Sequence, residues 1–327
     1  MRRIGLNIVG FIFLIGAISV VPGFSFADTN KIKEFTIRNG APFNEIADNL
    51  KAEGLIKSKI LFKIYSFITG DINEFKAGRY LLDSDLSLSG IARLLASGPK
   101  ETSVAVIPGM TLKEIDDKLS GNSVIKPGEL INFNIGLVKN DYAWLAGARS
   151  LEGFLLPDTY NFTRNSDIKS AVEKFLDNFD KKAMPLFAGD LKNLSAKLII
   201  ASILEKEIPD YGEQRTGAGI IEKRLAAGMA LQVDATVIYA KCRGRFISCP
   251  QLTALDYKID SPYNTYFHAG LPPAPISNPG PKTIESALGA VKSDYWYYLS
   301  DPKTQKTIFG KTLDEHNDNR ALYLLKK

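Results

Sequence analysis

From Phe35 onward the apolar positions fall into a pattern that recurs. In Phe35-Thr-Ile-Arg-Asn-Gly-Ala-Pro-Phe-Asn-Glu-Ile-Ala-Asp-Asn-Leu50 they alternate up to a turn at Asn39-Gly40, then return every three or four positions. That change of period predicts a short strand, a turn and an amphipathic helix. Val104 to Leu119 repeats the pattern around Pro108-Gly109, and Tyr80 to Leu95 is a weaker copy. Across the copies Phe43, Leu88 and Leu112 hold one helical position, and Ile46, Ile91 and Ile115 hold the position three residues on, so each pair shares a face. Pro42, Ser87 and Thr111 stand where each helix begins. After the first copy, Ile56 to Ile68 is a second helical stretch rich in Phe, Tyr and Ile, which reads as core and is interrupted by Gly70-Asp71.

Further along the periodicity is less regular. A helix is predicted from Gly128 to about Asn134 and another from about Ser166 to Phe187. Gly270 to Gly280 is dense in proline and reads as a rigid extended loop. Tyr295 to Leu299 and Thr307 to Phe309 read as a terminal β-hairpin, followed by a last helix starting at Asp314-Glu-His-Asn317. The predicted fold class is α+β, divided into an N-terminal membrane or signal segment (1–27), a strand-helix repeat region (31–148) and a mixed α+β catalytic domain (149–327).

The stretch Ser195-Ala-Lys-Leu-Ile-Ile-Ala-Ser-Ile-Leu-Glu-Lys-Glu-Ile208 places charge where an apolar helix would otherwise continue. Ser195 is a plausible N-cap, and Pro209 and Gly212 are stop signals. Ala201, Ser202 and Leu198 precede Glu205 on its face, leaving room for a ligand and little water, the setting that suits a general acid. Glu207 competes for that role, with Ile200, Ile203 and Leu204 on its side. Two positions apart, the carboxylates diverge by roughly 200° and cannot serve one cleft together. A plainer reading makes both of them solvated or ion-paired acids at a helix end, with Lys206 or Lys197 as partners.

A chain of 327 residues, 45% hydrophobic and 24% charged, can bury a sizeable core and is not disordered. Its net charge of +5 is mild and its basic residues are scattered, which argues against a nucleic-acid partner. Arg2 and Arg3 precede an uncharged run from Ile4 to Val21, which as a helix spans roughly 27 Å, just enough for a bilayer. The positive-inside bias leaves the arginines in the cytoplasm and exports everything after Asp28. Ser25-Phe26-Ala27 is also compatible with signal-peptide cleavage; both readings export the domain. Cys242 and Cys249 flank a short segment that can form a hairpin or tight loop, and an oxidising compartment would let them join. The two histidines, His268 and His316, match no zinc spacing, so no metal site is expected.

The strand-helix copies, with Asn39-Gly40 and Pro108-Gly109 ahead of their helices, resemble the LysM glycan-binding module; the alternative is a structural spacer. A wider likeness rests on Leu151-Glu-Gly-Phe-Leu-Leu-Pro-Asp-Thr-Tyr160, Ala201-Ser-Ile-Leu-Glu-Lys-Glu207, Leu231-Gln-Val-Asp-Ala-Thr-Val-Ile-Tyr239, Ser261-Pro-Tyr-Asn-Thr-Tyr266 and Gly270-Leu-Pro-Pro273 with Ile276-Ser-Asn-Pro-Gly280. In this order the motifs resemble the endolytic murein transglycosylases, or YceG-like family. The resemblance implies a bacterial inner-membrane enzyme, its catalytic domain outside the cytoplasm, that cuts within peptidoglycan glycan strands. It implies Glu205 as the catalytic acid and no metal or organic cofactor. Its implied partners are those strands and the membrane, with peptidoglycan synthases as further candidates.

The chemistry so implied uses the sugar's own C6 hydroxyl as nucleophile and leaves 1,6-anhydromuramyl ends, so a single carboxyl group can serve as acid and then base. Gln232, Asp234 and Thr236 alternate along a predicted strand whose polar face can hold sugar hydroxyls and acetamido groups. Tyr263 offers aromatic surface, Asn264 an amide for substrate or for Glu205, and Glu152 and Asp158 are candidate cleft residues. For each of these, packing or turn formation is the plainer alternative. The competing functions are a non-catalytic peptidoglycan-binding scaffold and a hydrolytic muramidase with Asp234 as second acid.

Overall fold

The structure, a computed structural model, describes residues 31–325. The first copy forms strand β1 (Ile32–Ile37) and helix α1 (Phe43–Ala52), followed by α2 (Lys59–Thr69), strand β2 (Gly78–Asp83) and α3 (Leu88–Ser97). β1 and β2 pair antiparallel with Phe35 opposite Tyr80. Their inward residues Phe35, Ile37, Tyr80 and Leu82 are buried together with Ile46, Leu50, Phe62, Ile91 and Leu95. Ser58 and Ser87 accept amide hydrogen bonds at the starts of α2 and α3. The expectation that Ile56 to Ile68 is a core helix holds for one side only. Phe62 and Ser66 are buried, whereas Ile60, Leu61, Ile64, Phe67 and Ile68 are exposed, because the packing partners α1 and α3 cover a single face.

A second unit repeats the two strand-helix pairs, without a counterpart of α2, as β3 (Glu101–Val106), α4 (Leu112–Gly121), β4 (Asp158–Thr163) and α5 (Ile168–Lys182). β3 and β4 pair antiparallel with Val104 opposite Tyr160. β4 and α5 are a fourth strand-helix copy that the sequence reading missed. Tyr160, Phe162, Asp167, Ile168 and Phe175 correspond to Tyr80, Leu82, Ser87, Leu88 and Leu95. The hydroxyls of Tyr80 and Tyr160 both donate to the carbonyl four residues earlier, Lys76 and Leu156, at 2.5 Å. The polar run Arg164-Asn165-Ser166 and Asn161 hide the copy by diluting its alternation. The helix expected from Gly128 to about Asn134 is a set of turns instead. Buried Asp116 draws in the amides of Gly128 and Leu130 at 2.7 and 2.9 Å, which bends this backbone around one carboxylate.

The remaining elements are α6 (Leu194–Glu207), α7 (Tyr211–Ala226), α8 (Asp234–Lys241), α9 (Pro281–Leu288), the hairpin β5 (Tyr297–Ser300) with β6 (Thr307–Gly310), and α10 (Leu313–Arg320). α6 packs against α7, α8 and α9, and its residues from Leu198 to Leu204 are buried all round, as befits a central helix. One core cluster runs from Val104 to Ala287, and the other is confined to Phe35 through Leu95. The apolar core therefore divides between Leu95 and Val104, well before the expected break at 148/149, because Val104 and Val106 pack with β4 and the later helices. The architecture is mixed α+β. The expected membrane segment, 1–27, lies outside the described residues; among those described, no helix is long and apolar enough to cross a membrane.

Candidate active site

Glu205 sits in the last turn of α6, whose extended C-cap, Ile208, precedes Pro209. Its Oε2 accepts a hydrogen bond from the amide of Gly280 at 2.8 Å. Gly280 is the N-cap of α9, so the carboxylate meets the positive end of a helix. Across from it lies the Pro108-Gly109 turn. Gly109 has φ 80°, a left-handed conformation that favours glycine, and the turn packs at van der Waals distance from the acid, a Cβ at Gly109 standing 3.5 Å from Glu205 Cγ. Among the described residues, Oε1 of Glu205 accepts no hydrogen bond, and the side chain is half-buried.

Lys206 closes the floor beside it, donating to the carbonyl of Gly109 at 3.2 Å and lying 3.8 Å over the ring of Phe246. Burial lowers its pKa, opposed by the charges of Glu114, Glu205, Glu152 and Glu207. Phe246 belongs to the loop closed by a disulfide between Cys242 and Cys249. This loop is fastened to α4. Thr111 Oγ1 donates to Gly244 O at 2.5 Å, and Glu114 Oε1 accepts the amides of Phe246 and Ile247 at 2.8 and 2.9 Å. Arg245 pairs with Asp117 through both carboxylate oxygens.

Behind Glu205 stands Asn278, fully buried. Its Nδ2 donates to Met110 O and Glu152 Oε1 at 2.9 and 3.0 Å, and its Oδ1 accepts the amides of Gly153 and Leu155, both at 2.9 Å. Its backbone carbonyl accepts the Gly109 amide at 2.9 Å, which ties the turn facing Glu205 to the loop carrying Gly280. Gly153 has φ 92°, and a Cβ there would lie 2.5 Å from Pro275, so glycine is required for the two loops to meet. Glu152 is only 2% exposed and also accepts the Leu112 amide and the Tyr239 hydroxyl at 2.9 and 3.0 Å. It braces the wall of the site from within. Burial pushes its carboxyl up to about 8.

A carboxyl whose folded pKa is raised stabilises the fold fully below its unfolded value near 4.5 and loses that contribution as pH rises through about 8. The midpoint of thermal unfolding is therefore expected to fall between pH 5 and pH 8. Glu152→Gln keeps an acceptor for Leu112 and Asn278 and is expected to flatten that slope; a scan of Tm against pH, with an unchanged slope as the contrary result, checks it.

The polar group around residue 232 is organised differently from the expected strand. Leu231 to Val233 forms no strand, only Val233 being extended as the N-cap, and α8 then begins at Asp234. The alternation that predicted a strand is real for buried Leu231 and Val233 against exposed Gln232 and Asp234, but Ala235, Thr236 and Val237 are all buried, as a helix entering the core requires. Gln232 is exposed at φ 52°. Asp234 accepts the Tyr266 hydroxyl at 2.6 Å. Thr236 is buried and donates to Val233 O at 2.6 Å, and Asn264, also buried, donates to the carbonyls of Tyr257 and Ile259 at 3.1 and 2.9 Å, so both side chains hold their own loops. Tyr263 is half-buried against Tyr239, with ring centroids 4.8 Å apart. Asp158, the first residue of β4, pairs with Lys182 at the end of α5, which holds its carboxyl below the usual range.

Glu207 faces this second group, accepting the Ala235 amide at 3.0 Å, and burial pushes its carboxyl up to about 7 with Asp234 adding to the rise. The two acids of the α6 motif thus serve different neighbours, Glu205 toward Gly109 and Gly280 and Glu207 toward α8. Asn278 and Glu114 were not singled out from sequence, and Lys206 was named only as an ion-pair partner for the acids, whereas its ammonium donates to the Gly109 carbonyl. The dense Asn278-Pro279-Gly280 run was the available signal for the first of them.

The pattern that defines the YceG-like family matches residues 35–321. The chain belongs to the YceG-like family. Relatives of this YceG-like chain include a Bacillus subtilis protein named endolytic murein transglycosylase, 31% identical over 339 residues, with 98% of this chain and 92% of that one covered. A Streptococcus pneumoniae protein of the same name is 29% identical over 332 residues, covering 92% of this chain and 60% of its own. The chain thus spans about 60% of the length of its pneumococcal relatives. A crystal structure of a yceG-like protein from Listeria monocytogenes superposes with a TM-score of 0.58 at 29% identity, covering 88% of this chain and 99% of that one.

Proposed function

We propose that this YceG-like protein is an endolytic transglycosylase of peptidoglycan, anchored through residues 4–21 with its folded part outside the cytoplasm, and that Glu205 is its acid and base. The observation that carries this reading is the Glu205 carboxylate itself: one oxygen is fixed by the Gly280 amide and the other is left without a protein partner at a half-exposed position between two glycine turns. Glu152 and Glu114, by contrast, spend both carboxylate oxygens on protein donors.

In the proposed reaction the free oxygen of protonated Glu205 donates to the glycosidic oxygen as its bond to the muramyl C1 breaks. The C6 hydroxyl of the same sugar attacks C1 and gives its proton back to Glu205, so the acid is restored and a 1,6-anhydro end forms. The intramolecular nucleophile supplies proximity that a hydrolase obtains from a second carboxylate and a water. Mass spectrometry of the ends released from purified glycan strands tests the proposal. Anhydro ends support it, and reducing muramic acid would sink it in favour of a muramidase. The β1-α1-α2-β2 order with its antiparallel pair supports reading the first unit as LysM-like.

Glu207 is the second reading, favoured by a carboxyl pushed up to about 7. The two readings part on substitution. Under the first, Glu207→Gln retains an acceptor for the Ala235 amide and is expected to keep the cleavage rate within about tenfold, since no proton transfer is removed. A loss comparable to that of the Glu205 variant would transfer the role to Glu207.

A further inference from the structure

The exposed side of α2 has no use in the reading above, and its composition is unusual for a free surface. Ile60, Leu61, Ile64, Phe67 and Ile68 lie within an arc of roughly 120° at 100° per residue, and Phe67 and Ile68 are 74% and 76% exposed. A contiguous apolar stripe of this kind marks an interaction site. From Lys57 to Gly70 the sequence carries Lys57, Lys59 and Lys63 and no acidic residue. Asp48 neutralises Lys59, which leaves Lys57 and Lys63 flanking the stripe. An apolar face bordered by lysines is the composition of helices that lie in a membrane interface and favour anionic headgroups.

The position of this face in the chain selects the occupant. Only ten residues, 22–31, separate the end of the uncharged run at Val21 from the start of β1, a tether of at most about 35 Å. A unit held that close to a bilayer meets lipid at a high effective concentration. We infer that α2 docks in the interface of an anionic bilayer, with Phe67 and Ile68 entering the acyl boundary and Lys57 and Lys63 at the headgroups. The inference rests on the membrane anchoring proposed above.

The test uses the full chain reconstituted in vesicles of phosphatidylcholine and phosphatidylglycerol with brominated acyl chains, with the parent spectrum subtracted. Flotation first reads the tether. A chain that does not float with the vesicles loses both the anchor and the docking. In a chain that floats, Phe67→Trp is expected to show blue-shifted emission and to lose most of it to the bromolipid. Leu81→Trp, on the outward face of the β1–β2 pair opposite Glu34, keeps water-like emission. Unquenched emission at position 67, a blue shift without quenching, or equal quenching at both positions overturns the docking while leaving the anchor intact. Quenching undiminished in phosphatidylcholine alone overturns the preference for anionic lipid. Both positions are more than half exposed, so neither substitution disturbs the core.

Discussion

Glu205→Gln is expected to lower the rate of glycan-strand cleavage by at least about 1,000-fold, within the range that a positioned acid and base contributes. The amide matches the carboxyl in shape and its oxygen still accepts from Gly280, so the turns on either side keep their spacing. What disappears is the acidic proton that the carboxyl can give up and take back. Strand binding and the unfolding midpoint are expected to stay near those of the parent, and the loss should appear in kcat rather than KM. Quantifying muropeptide ends released by the full chain in detergent decides the matter; a variant that retains a tenth of the parental rate removes Glu205 from the chemistry.

The second large effect is structural. Asn278→Ala strips four hydrogen bonds from a buried amide and leaves Met110 O, Glu152 Oε1 and the amides of Gly153 and Leu155 without that partner. Met110 O keeps the Asn278 backbone amide and Glu152 Oε1 the Leu112 amide, so the Gly153 and Leu155 amides are the groups left unsatisfied, and at about 1–3 kcal/mol each the cost is on the order of 4 kcal/mol. That corresponds to a fall in Tm on the order of 10 °C. Asn278→Asp separates this hub from simple packing. It places a second carboxyl against Glu152, so the variant is expected to lose more stability at pH 8 than at pH 5. A pH-independent loss, or a shift of a degree or two for the alanine variant, contradicts the network.

Local patterns carried a good part of this fold. The copies beginning at Phe35, Tyr80 and Val104 were legible because an alternating strand and an amphipathic helix leave distinct periods, and the hairpin of β5 and β6 was legible for the same reason. The misreadings share a cause. Sequence periodicity reports which residues are apolar and is silent on which of them find a partner. α2 has apolar residues on both sides and a neighbour on one. Leu231 to Asp234 alternates like a strand, yet the next residues turn into a helix in whose first turn the Ala235 amide meets Glu207. At the site, helix geometry placed Glu205 without choosing it over Glu207, a choice that came from the resemblance alone, because the difference lies in what α8 and α9 bring to each carboxylate. Asn278 contacts residues far away in the chain, Met110 and Glu152, so its role becomes visible only once the loops have met.

The loop between Cys242 and Cys249 closes only a short circuit of chain, which by chain entropy contributes about 2.5 kcal/mol. Its larger consequence is geometric. With the sulfurs apart, the peptide that places Phe246 over Lys206 keeps its side-chain ties to Glu114, Thr111 and Asp117 and the ring contact with Tyr239, and loses its only covalent closure. Oxidation therefore finishes the surface beside Glu205 and Lys206, and a reduced copy lacks that last restraint.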